Sequence, residues 1–206
     1  MADTTRTFVA VAVPESLAAR LRRLQQDLAP EVPEARMAVT PPFHVTLAFL
    51  GDVPHVDLSS VCRAVNAAAE AFSPFELTLQ GVGAFPDPTR PRVLWAGLTG
   101  PGVETLHALQ AVDAQAAAAT GYPGDTQAFH PHVTLGRIKS GHDRKRGGRS
   151  QEVRDLTSLL ARRLRWFGGN FKVGEVVTFS SSFDPEKRNE LVYAPLSRGT
   201  LRGKAK

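Results

Sequence analysis

The letters HVTL occur twice in this chain, in FHVTLAFLG (43–51) and in FHPHVTLGR (129–137), which places His44 and His132 88 residues apart (132 − 44). The match extends beyond the tetrapeptide. RTFVAVAV (6–13) reads as a buried strand, and it precedes ESLAARLRRLQQDLA, where Leu17, Leu21, Leu24 and Leu28 fall at helical spacing. RVLWAGL, from Arg92, precedes VETLHALQAVDAQAAAA, a second helical segment, and a loop and an HVTL strand follow in both cases. The two leading strands start 86 residues apart (92 − 6), so the repeated unit is strand, helix, loop, HVTL strand. That repeat points to a pseudo-twofold arrangement.

Between and after the two units, the pattern predicts a helix over 56–72, a strand in FELTLQGVGAF and a helix over 152–166. It also predicts one strand in FKVGEVVTFSSSF and a closing strand in ELVYAPL. A Pro-rich passage over 30–42 is expected to be irregular. Antiparallel strands interspersed with amphipathic helices make the class α+β, with helices packed outside the sheets.

Composition narrows the chemistry. The 206 residues are 42% hydrophobic, enough for a substantial core, and Lys plus Arg exceed Asp plus Glu by 25 to 20, giving a net charge of +5. An excess of that sign favours anionic partners such as nucleotides or RNA. Cys62 is the single cysteine, so neither an internal disulfide nor a cysteine-based zinc cluster can form. The apolar run at 8–13 is short, preceded by Asp3 and followed by Pro14-Glu15, which argues against an export signal and makes the cytoplasm the expected location. No apolar run approaches the roughly 20 residues needed to span a bilayer.

Side chains alternate faces along a strand, so His44 and Thr46 share one face while Val45 and Leu47 point the other way. His132 and Thr134 obey the same rule, with Val133 and Leu135 behind them. Two such strands facing each other make a symmetric polar pocket of paired imidazoles and hydroxyls. Imidazole titrates near neutrality, so one ring can take a proton from a nucleophile while the other gives one to a leaving group. The hydroxyls suit the non-bridging oxygens of a phosphate. A lone His and Thr two residues apart are more often an edge feature, but recurrence within a repeated unit favours chemistry. His55, His107 and His142 have no matching context and read as surface or helix-face residues. His130-Pro131-His132 leaves a metal-dependent hydrolase open as an alternative, although further His and Asp ligands are not evident. A non-catalytic RNA-binding module is the other alternative. KSGHDRKRGGRS (139–150), with Arg144, Lys145 and Arg146, reads either as a basic mobile loop on the surface or as a guide for a phosphate backbone. No GxxxxGK[ST] loop is present, which argues against a nucleotide kinase or an ATP-driven ligase.

PPFHVTLAFLG and FHPHVTLGR resemble the paired HxTx motifs of the 2H phosphoesterase superfamily. RVLWAG and the FSSSF and YAPL segments resemble its bacterial and archaeal 2′-5′ RNA ligase, or RNA 2′,3′-cyclic phosphodiesterase, branch. The resemblance spans nearly all of residues 6–197. It implies a single bilobal domain over 1–197, with two antiparallel sheets around a central cleft. The basic tail over 198–206 is expected to be disordered. The resemblance also implies hydrolysis of RNA 2′,3′-cyclic phosphate ends or cyclic nucleotides to 2′-phosphates, with no metal and no cofactor. No obligate protein partner is evident in the sequence, and a monomer is expected. By position, His132 is the expected base and His44 the expected acid, with Thr46 and Thr134 on phosphate oxygens. Weak ATP-independent 2′-5′ ligation is the implied reverse reaction. The family often carries a basic residue five positions after the second His, here Arg137. Strand parity puts Arg137 on the wrong face, unless Gly136 permits a bulge. Phe43, Phe129 and Trp95 are candidates for stacking on a base, with core packing as the competing role.

Overall fold

The computed structural model describes residues 3–124, 128–138, 154–183 and 191–204. Within them lie two antiparallel sheets. The first has the order β3-β1-β8-β9, built from β1 (Thr4–Ala12), β3 (His44–Pro54), β8 (Glu175–Phe183) and β9 (Leu191–Thr200). The second has the order β2-β6-β5-β4-β7, from β2 (Ala35–Met37), β4 (Phe75–Phe85), β5 (Val93–Thr99), β6 (His132–Ile138) and β7 (Phe167–Val173). Setting β2 aside leaves two four-strand arrays in which each HVTL strand is outermost and pairs with the leading strand of its own unit. The pairing register matches as well: Val45 sits opposite Val11, and Val133 opposite Ala96.

The helices are exchanged between the two halves. α1 (Glu15–Leu28) leaves β1 and packs on the other sheet, against β6 and β7, while α3 (Val103–Ala119) leaves β5 and packs on β3. α2 (His55–Ala69) covers the first sheet beside α3, and α4 (Thr157–Arg163) covers the second. Leu17, Leu21, Leu24 and Leu28 of α1 are all buried, as their spacing requires. Burying each leucine contributes about 1.5–3 kcal/mol. One apolar cluster runs from Val9 and Val11 of the first sheet to Leu77 and Leu79 of the second, so both sheets share their helix-side core. The opposite face of the first sheet carries its own small cluster, Phe8, Ala10, Val177 and Phe179, with Tyr193 against it.

Four expectations need correction. The Pro-rich passage contains β2, a strand of three residues too short for periodicity to reveal. The single strand expected in FKVGEVVTFSSSF is two: Gly174 separates β7 from β8, and the two strands belong to different sheets. The helix expected over 152–166 is seven residues long, Thr157–Arg163, and Phe167 already begins a strand. The tail expected to be disordered from 198 is ordered through 204. Arg198–Thr200 lie in β9, Leu201 is buried and donates its N–H to the Gly174 carbonyl (2.9 Å), and Gly203 donates to the Phe72 carbonyl (2.9 Å). The basic loop with Arg144, Lys145 and Arg146, together with His142, lies outside the described residues. Among the described residues no helix is long and apolar enough to cross a membrane.

Candidate active site

Val45, Leu47, Val133 and Leu135 are buried at the backs of the HVTL strands, so His44, Thr46, His132 and Thr134 must face forward. Each imidazole is fixed by its own chain. His44 Nδ1 bonds the Pro42 carbonyl at 2.8 Å, and His132 Nδ1 bonds the His130 carbonyl at 2.6 Å. Since a carbonyl only accepts, each Nδ1 carries the hydrogen, and Nε2 is the atom left to meet a substrate. Each ring also rests on an aromatic. His44 lies 5.0 Å from Phe8 and 5.2 Å from Tyr193, edge to face with the latter, and His132 stands edge-on to Phe85 at 4.9 Å.

Arg137 answers the parity question. Leu94 of β5 pairs with Gly136, but Trp95 pairs with Thr134, so Leu135 is an extra residue and β6 bulges there. Leu135 and Gly136 are consecutively buried, and Arg137 returns to the His132 side. Gly136 suits this place, because a Cβ there would lie 3.0 Å from the Arg36 carbonyl oxygen of β2. β3 has the same irregularity: Val9 pairs with Ala48 and Ala10 with Thr46, leaving Leu47 extra. β3 has no outer neighbour in its sheet, so Ala48 is tolerated where β6 needs glycine.

Each bulge is tied down by a glutamine from the helix lying behind it. Gln25 of α1, itself buried, donates to the Leu135 carbonyl at 2.8 Å and to the Ala38 carbonyl at 2.7 Å. Gln110 of α3 donates to the Leu47 carbonyl at 3.2 Å. The exchange of helices between halves therefore anchors both HVTL strands.

A cavity of about 810 Å³ opens over this face, bordered by His44, Thr46, Thr134, Arg137 and Phe43 among others. His132 stands outside that lining, on Phe85, yet its charge still depresses the His44 pKa. Burial is the main cause lowering both imidazoles, opposed in each by the carbonyl on Nδ1. Arg137 and His130 lower His132 further. Arg137 also acts electrostatically on Tyr193, so the guanidinium reaches toward the opposite sheet.

Of the three aromatic candidates, Phe43 borders the cavity. Phe129 does not; its ring meets His107 of α3 edge-on at 5.2 Å and packs on the core, the competing role weighed for it. Trp95 lies 5.3 Å from Phe85, and its ring covers Gly83, where a Cβ would come within 2.1 Å, so it supports Phe85 rather than bordering the cavity. Among the described residues no three His, Cys, Asp or Glu side chains gather as metal ligands, so His130 and His132 find no third partner there.

Residues 11–95 match a family model described as LigT like Phosphoesterase. A curated relative from Archaeoglobus fulgidus, named RNA 2′,3′-cyclic phosphodiesterase, is 32% identical over 134 residues, which cover 65% of this chain and 73% of the relative. The chain belongs to the LigT-like phosphoesterase family. A relative of the same name from Geobacillus stearothermophilus is 32% identical over 130 residues, 63% of this chain, but the chain spans only 41% of that protein's length. The fold agrees with the crystal structure of E. coli LigT complexed with 3′-AMP: TM-score 0.70, 25% identity, 96% of this chain and 98% of that one.

Phe8, Phe85, Tyr193, Gln25 and Gln110 were not singled out by the sequence. Phe8 had a readable signal, since alternation along RTFVAVAV puts it on the face opposite Val9 and Val11. The two glutamines had none, because their partners lie 110 and 63 residues away.

Proposed function

We propose that this LigT-like phosphoesterase is a metal-independent RNA 2′,3′-cyclic phosphodiesterase. His132 Nε2 takes a proton from water as the water oxygen bonds to phosphorus. The P–O3′ bond breaks, and His44 Nε2–H delivers its proton to the departing 3′ oxygen, leaving a 2′-phosphate and a 3′-hydroxyl. Thr46, Thr134 and Arg137 donate to the non-bridging oxygens, where charge accumulates. A 5′-hydroxyl in place of water gives the weak 2′-5′ ligation.

The observation that carries this reading is the pair of imidazoles, each held at Nδ1 and each presenting Nε2, on matching bulged strands, with the charge of His132 reaching His44. Arg137 supports the division of labour: added to burial, its charge lowers the His132 pKa and so favours the neutral ring that a base must present, whereas Phe49 in the corresponding place beside His44 is uncharged. The names of the relatives and the 3′-AMP bound to E. coli LigT support a nucleotide or RNA substrate. The test is incubation of an oligonucleotide ending in a 2′,3′-cyclic phosphate with the protein in chelator. The expected product retains phosphate on the 2′ oxygen; a 3′-phosphate, or loss of activity in chelator, contradicts the mechanism.

A further inference from the structure

The cavity carries more positive charge than a cyclic phosphate can use. A nucleoside 2′,3′-cyclic phosphate has one negative charge, which Arg137 and the two threonines meet. Arg6 of β1 and Arg36 of β2 also border the cavity, and among the described residues no Asp or Glu does. Neither arginine forms an ion pair among the described residues. Arg36 lies directly across from Arg137 in the β2–β6 register. On the other wall, Arg6 is two residues beyond Phe8 along β1, about 7 Å farther from the His44 ring's resting place.

Apolar surface continues in the same direction. Phe8 pairs with Phe179 and Arg6 with Ser181, so Phe183 lies one further step outward on β8. Phe183 is 65% exposed and Phe49, beside Phe8 in the register, is 53% exposed; both border the cavity. Exposed aromatic rings alternating with unpaired arginines form the surface that single-stranded nucleic acid uses, with rings under bases and cations on phosphates.

Resting on the phosphodiesterase reading, we propose that Arg6, Phe49 and Phe183 form a subsite for the nucleotides on the 5′ side of the cyclic end. A 2′,3′-cyclic phosphate closes the 3′ terminus, so the chain can continue only through its 5′ oxygen. The additional arginines then meet the additional phosphodiesters. The favoured substrate class is single-stranded oligoribonucleotide rather than free cyclic nucleotide.

The experiment compares kcat/KM for a 2′,3′-cyclic mononucleotide and a 2′,3′-cyclic-phosphate pentanucleotide in the wild type, Arg6→Ala and Phe183→Ala. Binding of a non-hydrolysable 3′-phosphorylated pentanucleotide is followed in parallel by anisotropy. The wild type should prefer the pentanucleotide. Each variant should lose about ten-fold on the pentanucleotide through KM and nothing on the mononucleotide. Arg6→Ala should also flatten the salt dependence of pentanucleotide binding by about 0.7 in logarithmic slope. Equal efficiency on both substrates, or equal losses on both in the variants, overturns the subsite while leaving the phosphodiesterase standing. If neither substrate is cleaved but binding still depends on Arg6 and Phe183, the subsite stands and the hydrolytic reading falls. Both side chains are exposed strand residues at the cavity edge, so their truncation leaves the core intact.

Discussion

HVTLAFL in β3 and HVTLGRI in β6 adopt the same course: imidazole and threonine forward, valine back, an extra leucine at the bulge, then a residue turned to the cavity. In β6 that last residue is Arg137; in β3 it is Phe49. The backbone is thus nearly symmetric while the electrostatics are not. One imidazole has a guanidinium that adds to the lowering of its pKa by burial, and the other has an aromatic ring in the corresponding place. Repetition builds the pocket, and a one-residue departure from it makes its two halves electrostatically unlike.

The largest effects come from removing either ring. His44→Ala and His132→Ala should each lower kcat about 10²- to 10⁴-fold in single-turnover assays with a cyclic nucleotide. A loss confined to one of them would mean that the halves do not act as a pair. Next is the asymmetry itself. Arg137→Gln should cost about 10² in kcat/KM, as the loss of a donor to the developing charge does. It should also raise the His132 pKa, because the charge that lowers it is gone, and so move the acid limb of the pH profile upward. Phe49→Arg makes the halves alike; it should lower the His44 pKa and draw the alkaline limb downward.

Smaller effects test the anchors behind the strands. Gln25→Leu removes two hydrogen bonds, leaving the Leu135 carbonyl with the Ala38 N–H alone, and should lose about 1–3 kcal/mol of unfolding free energy in denaturant titrations. Gln110→Leu, which removes one longer bond, should lose less. A further contrast lies in α3. Its Asp113 is fully buried without a hydrogen-bond partner among the described residues, and burial pushes its pKa up to about 8. Because the folded value exceeds the unfolded one, folding takes up a proton. The contribution of Asp113 to stability is therefore greatest below the unfolded pKa of 3.8 and declines as pH rises toward about 8. Asp113→Asn should abolish that decline and gain on the order of 1 kcal/mol at pH 8 in thermal or denaturant melts.

Much of the site was legible because its signals are local. Period-two alternation assigns faces in HVTL, and recurrence distinguishes His44 and His132 from the other histidines. Arg137 was legible only as a question, since a bulge is a property of two paired strands and Trp95 and Leu94 had to be seen opposite Thr134 and Gly136. The exchange of α1 and α3 between sheets, and with it the roles of Gln25 and Gln110, follows from long-range packing that hydrophobic spacing does not encode. β2 escaped because three residues carry no period, and β7 and β8 were merged because the chain changes sheets at a single glycine.

The central claim is that two imidazoles share two proton transfers, one ring as base and the other as acid. Its most direct test is the pH dependence of kcat/KM in chelator for the wild type and for the residual activities of His132→Ala and His44→Ala. The wild type should give a bell centred below pH 6.5, since burial lowers both rings. His132→Ala should lose the acid limb and His44→Ala the alkaline limb. An intact bell in either variant, or loss of the same limb in both, would contradict the account.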